Sequence, residues 1–209
     1  MDSEQKGRVW TGAGIGAAAT VAVFALGGLG FAYSGAYDIA ATTPHTGLVK
    51  WVLGATMERS VRSRAASVGE PMPVDSALLV HGFGHYHAMC VACHGAPGVE
   101  KGEYGRGLNP EPPDLAEEAH EWTDAELFWI TKHGIKMTGM PAFGPTHSDE
   151  ELWAIVAAVR RLEEMTPEEY AAMVAAAGGG HDHGDGGHAH EPREASGHTH
   201  APGTPPHEH

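Results

Sequence analysis

The residues with the clearest capacity for chemistry are two cysteines and a histidine in the segment Cys90-Val91-Ala92-Cys93-His94. These are the only 2 cysteines of the chain, so a site built from four thiolates is excluded. Two thiols three residues apart reach the two vinyl groups of one porphyrin, and the next residue lies beneath the iron. The spacing therefore predicts one covalently attached haem c, with Cys90 and Cys93 as the attachment points and His94 as an axial ligand.

A second axial ligand is expected in the downstream segment from Gly134 to Gly144, which holds two methionines in a loop rich in glycine and proline. A methionine–histidine pair raises the reduction potential of the iron and leaves no open position for a substrate. Met140 is the preferred ligand, because Pro141 stiffens the loop behind it and Gly139 permits a close backbone approach. Met137 is the second choice.

Composition limits the class of protein. The 209 residues carry 27 acids against 13 bases, a formal net charge of −14, and this balance argues against a nucleic-acid partner. The two cysteines make at most one disulfide, which excludes a disulfide-dense secreted module.

An uncharged stretch runs from Val9 to Tyr37 and follows Lys6 and Arg8. Its length suffices for a membrane-spanning helix. We interpret residues 1–37 as an N-terminal anchor in preference to a cleaved signal, whose apolar part is usually shorter. The nearest charges favour an N-terminus in the cytoplasm.

Residues 38–73 are predicted to form a connector. A helix is expected from Thr46 to Ala66, either lying at a membrane interface or packing as a solvated helix on the folded domain. Pro71 and Pro73 end any helix there and mark the expected domain boundary.

Residues 74–177 are predicted to be an all-α domain with long loops. Three capping boxes predict three helix starts, and a further helix is expected from Asp75 to Cys90. The boxes are Thr123 with Glu126, Ser148 with Glu151, and Thr166 with Glu169. The stretch between Gly95 and Trp122 is expected to be a loop.

The fragments HYHAMCVACHGAPG, PPDL, LFWITKHGIKMTGMPAFG and DEELWAIVAAVRRL resemble class I cytochromes c, and within that family the membrane-anchored bacterial monohaem branch. The resemblance covers residues from about 75 to 165. It implies that an N-terminal helix crosses a C-terminal helix, here about 75–91 and 149–163, with Phe83 and Trp153 meeting at the crossing. It also implies a proline carbonyl that accepts the ring N–H of the axial histidine, for which Pro112 and Pro113 are the two choices.

The resemblance further implies a carrier of single electrons, not an enzyme, although it is compatible with a subunit of an oxidoreductase. Its expected partners are a redox donor, a redox acceptor and the cytoplasmic membrane, with the haem domain facing the bacterial periplasm. Lys132 and Lys136 are candidates for a small basic patch beside the haem edge. The rival interpretation is a haem-based sensor that binds a small ligand.

Residues 178–209 lack large apolar side chains and are predicted to be a disordered tail. The tail suits copper, nickel or zinc, which offers a third interpretation as a metal-handling protein. Its eight histidines are His181, His183, His188, His190, His198, His200, His207 and His209.

Overall fold

The computed structural model describes residues 3–178, and within that range the regular elements are helices. They are α1 (Ser3–Tyr33), α2 (Gly47–Ala65), α3 (Ser76–Met89), α4 (Val91–His94), α5 (Glu103–Arg106), α6 (Leu115–Glu118), a 3₁₀ turn (Ala119–Glu121), α7 (Asp124–His133), α8 (Asp149–Leu162) and α9 (Pro167–Gly178). The all-α prediction is confirmed for this range. Gly178, the first residue of the predicted tail, is the last residue of α9, and residues 179–209 with the eight histidines lie outside the described residues.

Helix starts follow the capping chemistry of the sequence. In each predicted box, the hydroxyl of the first residue accepts the N–H of the glutamate, and the glutamate carboxylate accepts the N–H of the first residue. Asp75 caps α3 in a simpler way, since its carboxylate accepts the Leu78 N–H at 2.8 Å. The three reciprocal boxes are Thr123–Glu126, Ser148–Glu151 and Thr166–Glu169.

The stretch expected to be a loop between Gly95 and Trp122 is more ordered than predicted, because it contains α5, α6 and the 3₁₀ turn. Asp114 nucleates α6 by accepting the Ala116 N–H at 2.9 Å. These helical elements are three or four residues long. Turns this short depend on their surroundings for stability, which is why apolar periodicity could not reveal them.

Helices α3 and α8 cross at a point where no side chain separates them. A Cβ atom on Gly82 would overlap the main-chain oxygen of Ala154, so only glycine permits this approach. Phe83 and Trp153, which were expected to meet at the crossing, lie in the core, and the ring of each pairs with a different aromatic ring. Trp153 stacks on Phe128 with centroids 4.3 Å apart, and Phe83 meets Tyr170 edge-on at 6.2 Å.

Helix α9 packs along α3 and covers it. The Tyr170 side chain is buried, and its hydroxyl lies 3.0 Å from Nδ1 of His87 on α3. At the start of α9, Pro167 approaches so closely that a Cβ on Gly98 would lie 2.6 Å from the proline Cβ. Helix α9 therefore runs from the end of the haem motif back along α3.

The connector contacts the helical domain at two places. The second half of α2 packs on α7, where Val61 and Ala65 are buried and Arg62 Nε lies 3.9 Å from Glu126 Oε1. Upstream of α2, the Asn109 amide donates hydrogen bonds of 3.2 Å to Ala41 O and 3.1 Å to Thr43 O. The segment before Pro71 is thus attached to the domain that follows it.

Within the described range, one helix is long and apolar enough to cross a membrane. This stretch, Trp10–Tyr33, has 24 residues and a mean hydropathy of 1.9, and none of it is buried against the rest of the chain. A helix of that length matches the hydrocarbon thickness of a bilayer.

Candidate haem-binding site

The two cysteines and the histidine of the motif lie on a single helical turn. The N–H of His94 donates to Cys90 O at 2.9 Å, and the N–H of Cys93 donates to the same oxygen at 3.0 Å. Residues three and four apart share one face of a helix, so this turn presents both thiols and the imidazole to one side. Both thiols are free, and burial raises the pKa of Cys90 to about 12.

The His94 ring is buried and held by one hydrogen bond. Its Nδ1–H donates to the main-chain oxygen of Pro113 at 2.8 Å, and the ring is 9% exposed. Since a carbonyl can only accept, Nδ1 carries the proton and Nε2 keeps its lone pair. Burial lowers the pKa of His94 and so favours the neutral ring, which is the form that ligates iron.

The two prolines considered for this role have separate partners. Pro113 O faces His94, whereas Pro112 O accepts a 2.6 Å hydrogen bond from the ammonium group of Lys101. Lys101 also lies 3.0 Å from a carboxylate oxygen of Glu111. The largely buried Lys101 side chain therefore holds Glu111 and Pro112 in place, and these residues directly precede Pro113, the hydrogen-bond partner of His94.

The motif turn is enclosed by close backbone packing. The buried Tyr86 hydroxyl donates to Gly95 O at 2.7 Å, directly after the motif. The Gly102 N–H donates to Ala92 O at 3.0 Å, and a Cβ on Gly105 would lie 2.6 Å from Cys93 O. Helix α5 thus packs directly on the turn that carries the cysteines. A larger residue at position 105 would move α5 away from that turn.

The methionine loop folds back onto the end of α7. Ile135 N donates to Met140 O at 3.2 Å, and Gly134 adopts a φ of +64°. A Cβ on Gly134 would lie 2.6 Å from the carbonyl carbon of Pro141, so this glycine permits the loop to close. After the loop, Phe143 N donates to Thr131 O at 3.1 Å and returns the chain to α7.

The two methionines of this loop differ in environment. Met140 is half-buried, and its N–H donates to the Thr138 hydroxyl at 3.1 Å. Met137 is 86% exposed and adopts a φ of +63°, which is uncommon for a residue with a side chain.

The donors of this site fit a c-type haem: two free thiols and a neutral imidazole on one turn, and a half-buried thioether in a separate loop. A family model described as cytochrome C oxidase, cbb3-type, subunit III, matches residues 77–157. This part of the chain is a class I c-type cytochrome domain. The resemblance to class I cytochromes c is thereby confirmed, and the cytochrome domain includes the haem motif and both methionines. A search of curated proteins finds no match to the chain.

Lys132 and Lys136 were expected to form a small basic patch beside the haem edge, and they differ in their surroundings. Lys132 lies 2.6 Å from Asp149 Oδ1 and 5.4 Å from the centroid of the Phe128 ring, so its charge is used within the domain. Lys136 is exposed.

Sequence reasoning missed Lys101 and Tyr86, which position the cytochrome site, and Asn109, which attaches the connector to the domain. Each one acts on a main-chain oxygen, and a main-chain acceptor has no signature in the sequence. Tyr86 offered a partial signal, because a tyrosine among the apolar residues of α3 needs a partner for its hydroxyl when buried. Lys101 and Asn109 offered none, since both types are common at the surface.

Proposed function

We propose that the chain is a membrane-anchored monohaem cytochrome that carries single electrons between a donor and an acceptor in the periplasm of a bacterium. The observation that carries this proposal is the 2.8 Å bond from His94 Nδ1 to Pro113 O, which leaves Nε2 for a metal. Haem bound there supplies an iron that takes up and releases one electron. The chain's own residues hold the group and exclude water.

Cys90 and Cys93 would hold the porphyrin, and His94 would ligate the iron on one side. A hydrogen bond to the second ring nitrogen fixes the tautomer and raises the basicity of a histidine ligand. Met140 is the proposed ligand on the other side, supported by its burial and by the close contact between Pro141 and Gly134. The exposure of Met137 speaks against that residue.

The anchor is supported by the span Trp10–Tyr33, which has no partner within the described part of the chain that would bury it. We propose that this span is retained and that the cytochrome domain lies on the periplasmic side, as the charges before the span favour. The matching family is described as a subunit of an oxidase. By analogy, this chain would work beside a membrane redox complex and itself change no bond of a substrate.

The test is the optical spectrum of protein matured in a periplasm, for the wild type and for Met140→Ala and Met137→Gly. Haem should stay attached after denaturing extraction in all three. The red charge-transfer band of methionine-ligated ferric iron should disappear in Met140→Ala only. Met137→Gly is the matched control, because glycine accepts the positive φ at that position without strain.

A sensor would give the opposite result. If the wild type lacks the methionine band and its ferrous form binds carbon monoxide readily, the sixth position is open and the carrier proposal is wrong. If the band disappears in Met137→Gly and persists in Met140→Ala, the electron carrier remains and the ligand assignment is exchanged.

A further inference from the structure

Helix α2 has two halves with different surroundings. Its second half packs on α7 through the buried Val61 and Ala65. Its first half, residues 47–57, contains no fully buried residue and presents large apolar side chains to solvent. Those exposed residues are Leu48 (70% exposed), Trp51 (69%), Val52 and Leu53 (45% each). A contiguous apolar patch of this kind on a folded domain marks a contact surface.

The beginning of α2 lies beside the end of the proposed membrane span. Tyr37 connects them: its ring centroid is 6.4 Å from that of Phe31, in the last turn of α1, and 6.4 Å from that of His45. The Tyr37 hydroxyl also lies 2.7 Å from His45 Nδ1, two residues before α2 starts. The connector therefore folds back, and the first turn of α2 is held close to the level at which α1 ends.

Positive charge increases along α2 from its first half to its second half. Lys50 is the one charged residue of the first half, and the basic residues Arg59, Arg62 and Arg64 follow in the second half. Arg62 lies near Glu58 at 3.8 Å and near Glu126 at 3.9 Å, whereas Arg59 is exposed. Apolar residues with a tryptophan, followed by arginines about two to four turns after that tryptophan, match the order of acyl chains, interface and anionic headgroups.

We propose that the first half of α2 inserts into the lipid interface of the leaflet at which α1 emerges, with Trp51 at headgroup level and the arginines on anionic phospholipid. The proposal rests on the proposed anchor. Because the second half of α2 is packed on α7, the inserted half would fix the distance and tilt of the cytochrome domain at the membrane.

The experiment uses the full-length protein with its haem, reconstituted alone in vesicles of phosphatidylcholine and phosphatidylglycerol that contain a lipid with a photoactivatable carbene precursor. After illumination, labelled peptides are mapped by mass spectrometry. We expect label on α1 and on residues 47–57. We expect none on the peptide that contains Tyr104, an 81% exposed tyrosine of the cytochrome domain.

A paired variant, Leu48→Gln with Trp51→Gln, should reduce labelling of residues 47–57 to the level of the Tyr104 peptide and leave α1 labelled. Tyr104→Gln is the matched control and should leave the α2 label unchanged. Replacing phosphatidylglycerol with phosphatidylcholine should weaken the α2 label, because the arginines then lose their anionic partners.

The outcomes separate this inference from the anchor. If α1 is labelled and residues 47–57 are not, the inference is wrong and the anchor stands; the apolar half then serves a protein partner that the vesicles lack. If neither is labelled, the proposed anchor is wrong and the inference falls with it.

Discussion

The ammonium group of Lys101 donates a 2.6 Å hydrogen bond to Pro112 O, one residue before the carbonyl that accepts the His94 ring proton. Lys101 is thus a positioning residue: it touches the segment that orients His94, the proposed axial ligand, and not His94 itself. Its side chain is 19% exposed, so water competes poorly for this contact.

Lys101→Met keeps most of the stem and removes the donor. We expect the free energy of unfolding to fall by about 1–3 kcal/mol, because the bond joins a charged donor to a shielded carbonyl. We also expect acid to displace His94 from ferric iron at a higher pH. A less firmly oriented ring binds iron more weakly, so a proton replaces iron on the ring nitrogen at a lower proton concentration. Urea unfolding and a pH titration of the low-spin spectrum measure the two effects. The exposed Lys136→Met is the control; equal curves for both variants would remove Lys101 from this role.

Gly134→Ala tests the closure of the methionine loop. An alanine at a φ of +64° is strained by about 1–3 kcal/mol, and its Cβ would press on Met140 O at 2.7 Å. The Met140–Pro141 segment should shift, so the methionine charge-transfer band should weaken while haem attachment is unaffected. Gly69→Ala is the matched control, because nothing lies within 4 Å of a Cβ there. An unchanged band in Gly134→Ala would show that Met140 is not placed by this contact.

Gly82→Ala tests the crossing of α3 and α8. The added methyl group meets a main-chain oxygen of Ala154, which cannot rotate away, so the helices must separate. We expect a loss of about 1–3 kcal/mol or somewhat more in the free energy of unfolding, as in other overpacked cores. Chemical denaturation of the haem-loaded protein measures it. A loss no larger than that of Gly69→Ala would mean that the crossing adjusts without strain.

Glu151 should contribute to the pH dependence of stability. Hydrogen bonds from the backbone and side chain of Ser148 lower its pKa, with the nearby His85 and His147 acting in the same direction. A carboxylate with a lowered folded pKa stabilises the protein above its unfolded pKa, and this stabilisation is lost as the pH falls through the folded value.

The matched variant is Glu151→Gln, because glutamine also completes a capping box but does not titrate. The urea midpoint should therefore fall more steeply with acidification in the wild type than in Glu151→Gln, from about pH 5 downwards. Identical slopes would contradict a folded-state role for this carboxylate.

The sequence was most informative where chemistry is local. The capping boxes predicted the starts of α7, α8 and α9, because their reciprocal hydrogen bonds join residues only three positions apart in the chain. The C-x-x-C-H motif likewise predicted its own turn, since its donors are adjacent in the chain. The long span was evident from twenty or more uncharged residues.

Features that depend on distant backbone atoms could not be predicted. The choice between Pro112 and Pro113 depends on which carbonyl faces His94 in the fold, and nothing in the sequence indicates that Lys101 bonds the other carbonyl. The helices between Gly95 and Trp122 are too short for apolar periodicity to reveal them. The sequence left two surroundings open for α2, the folded domain and a membrane interface. The second half of α2 packs on α7, whereas the exposed apolar side chains of its first half are typical of a membrane interface.

The two attachments of the connector, through Asn109 and through the second half of α2, have a kinetic consequence. With α1 in a bilayer, a domain held at two points cannot swing on its tether to search for partners in three dimensions. Encounters would instead depend on lateral diffusion of whole complexes in the plane of the membrane. Partners that share the membrane would then meet the cytochrome domain at one height and from a narrow range of angles.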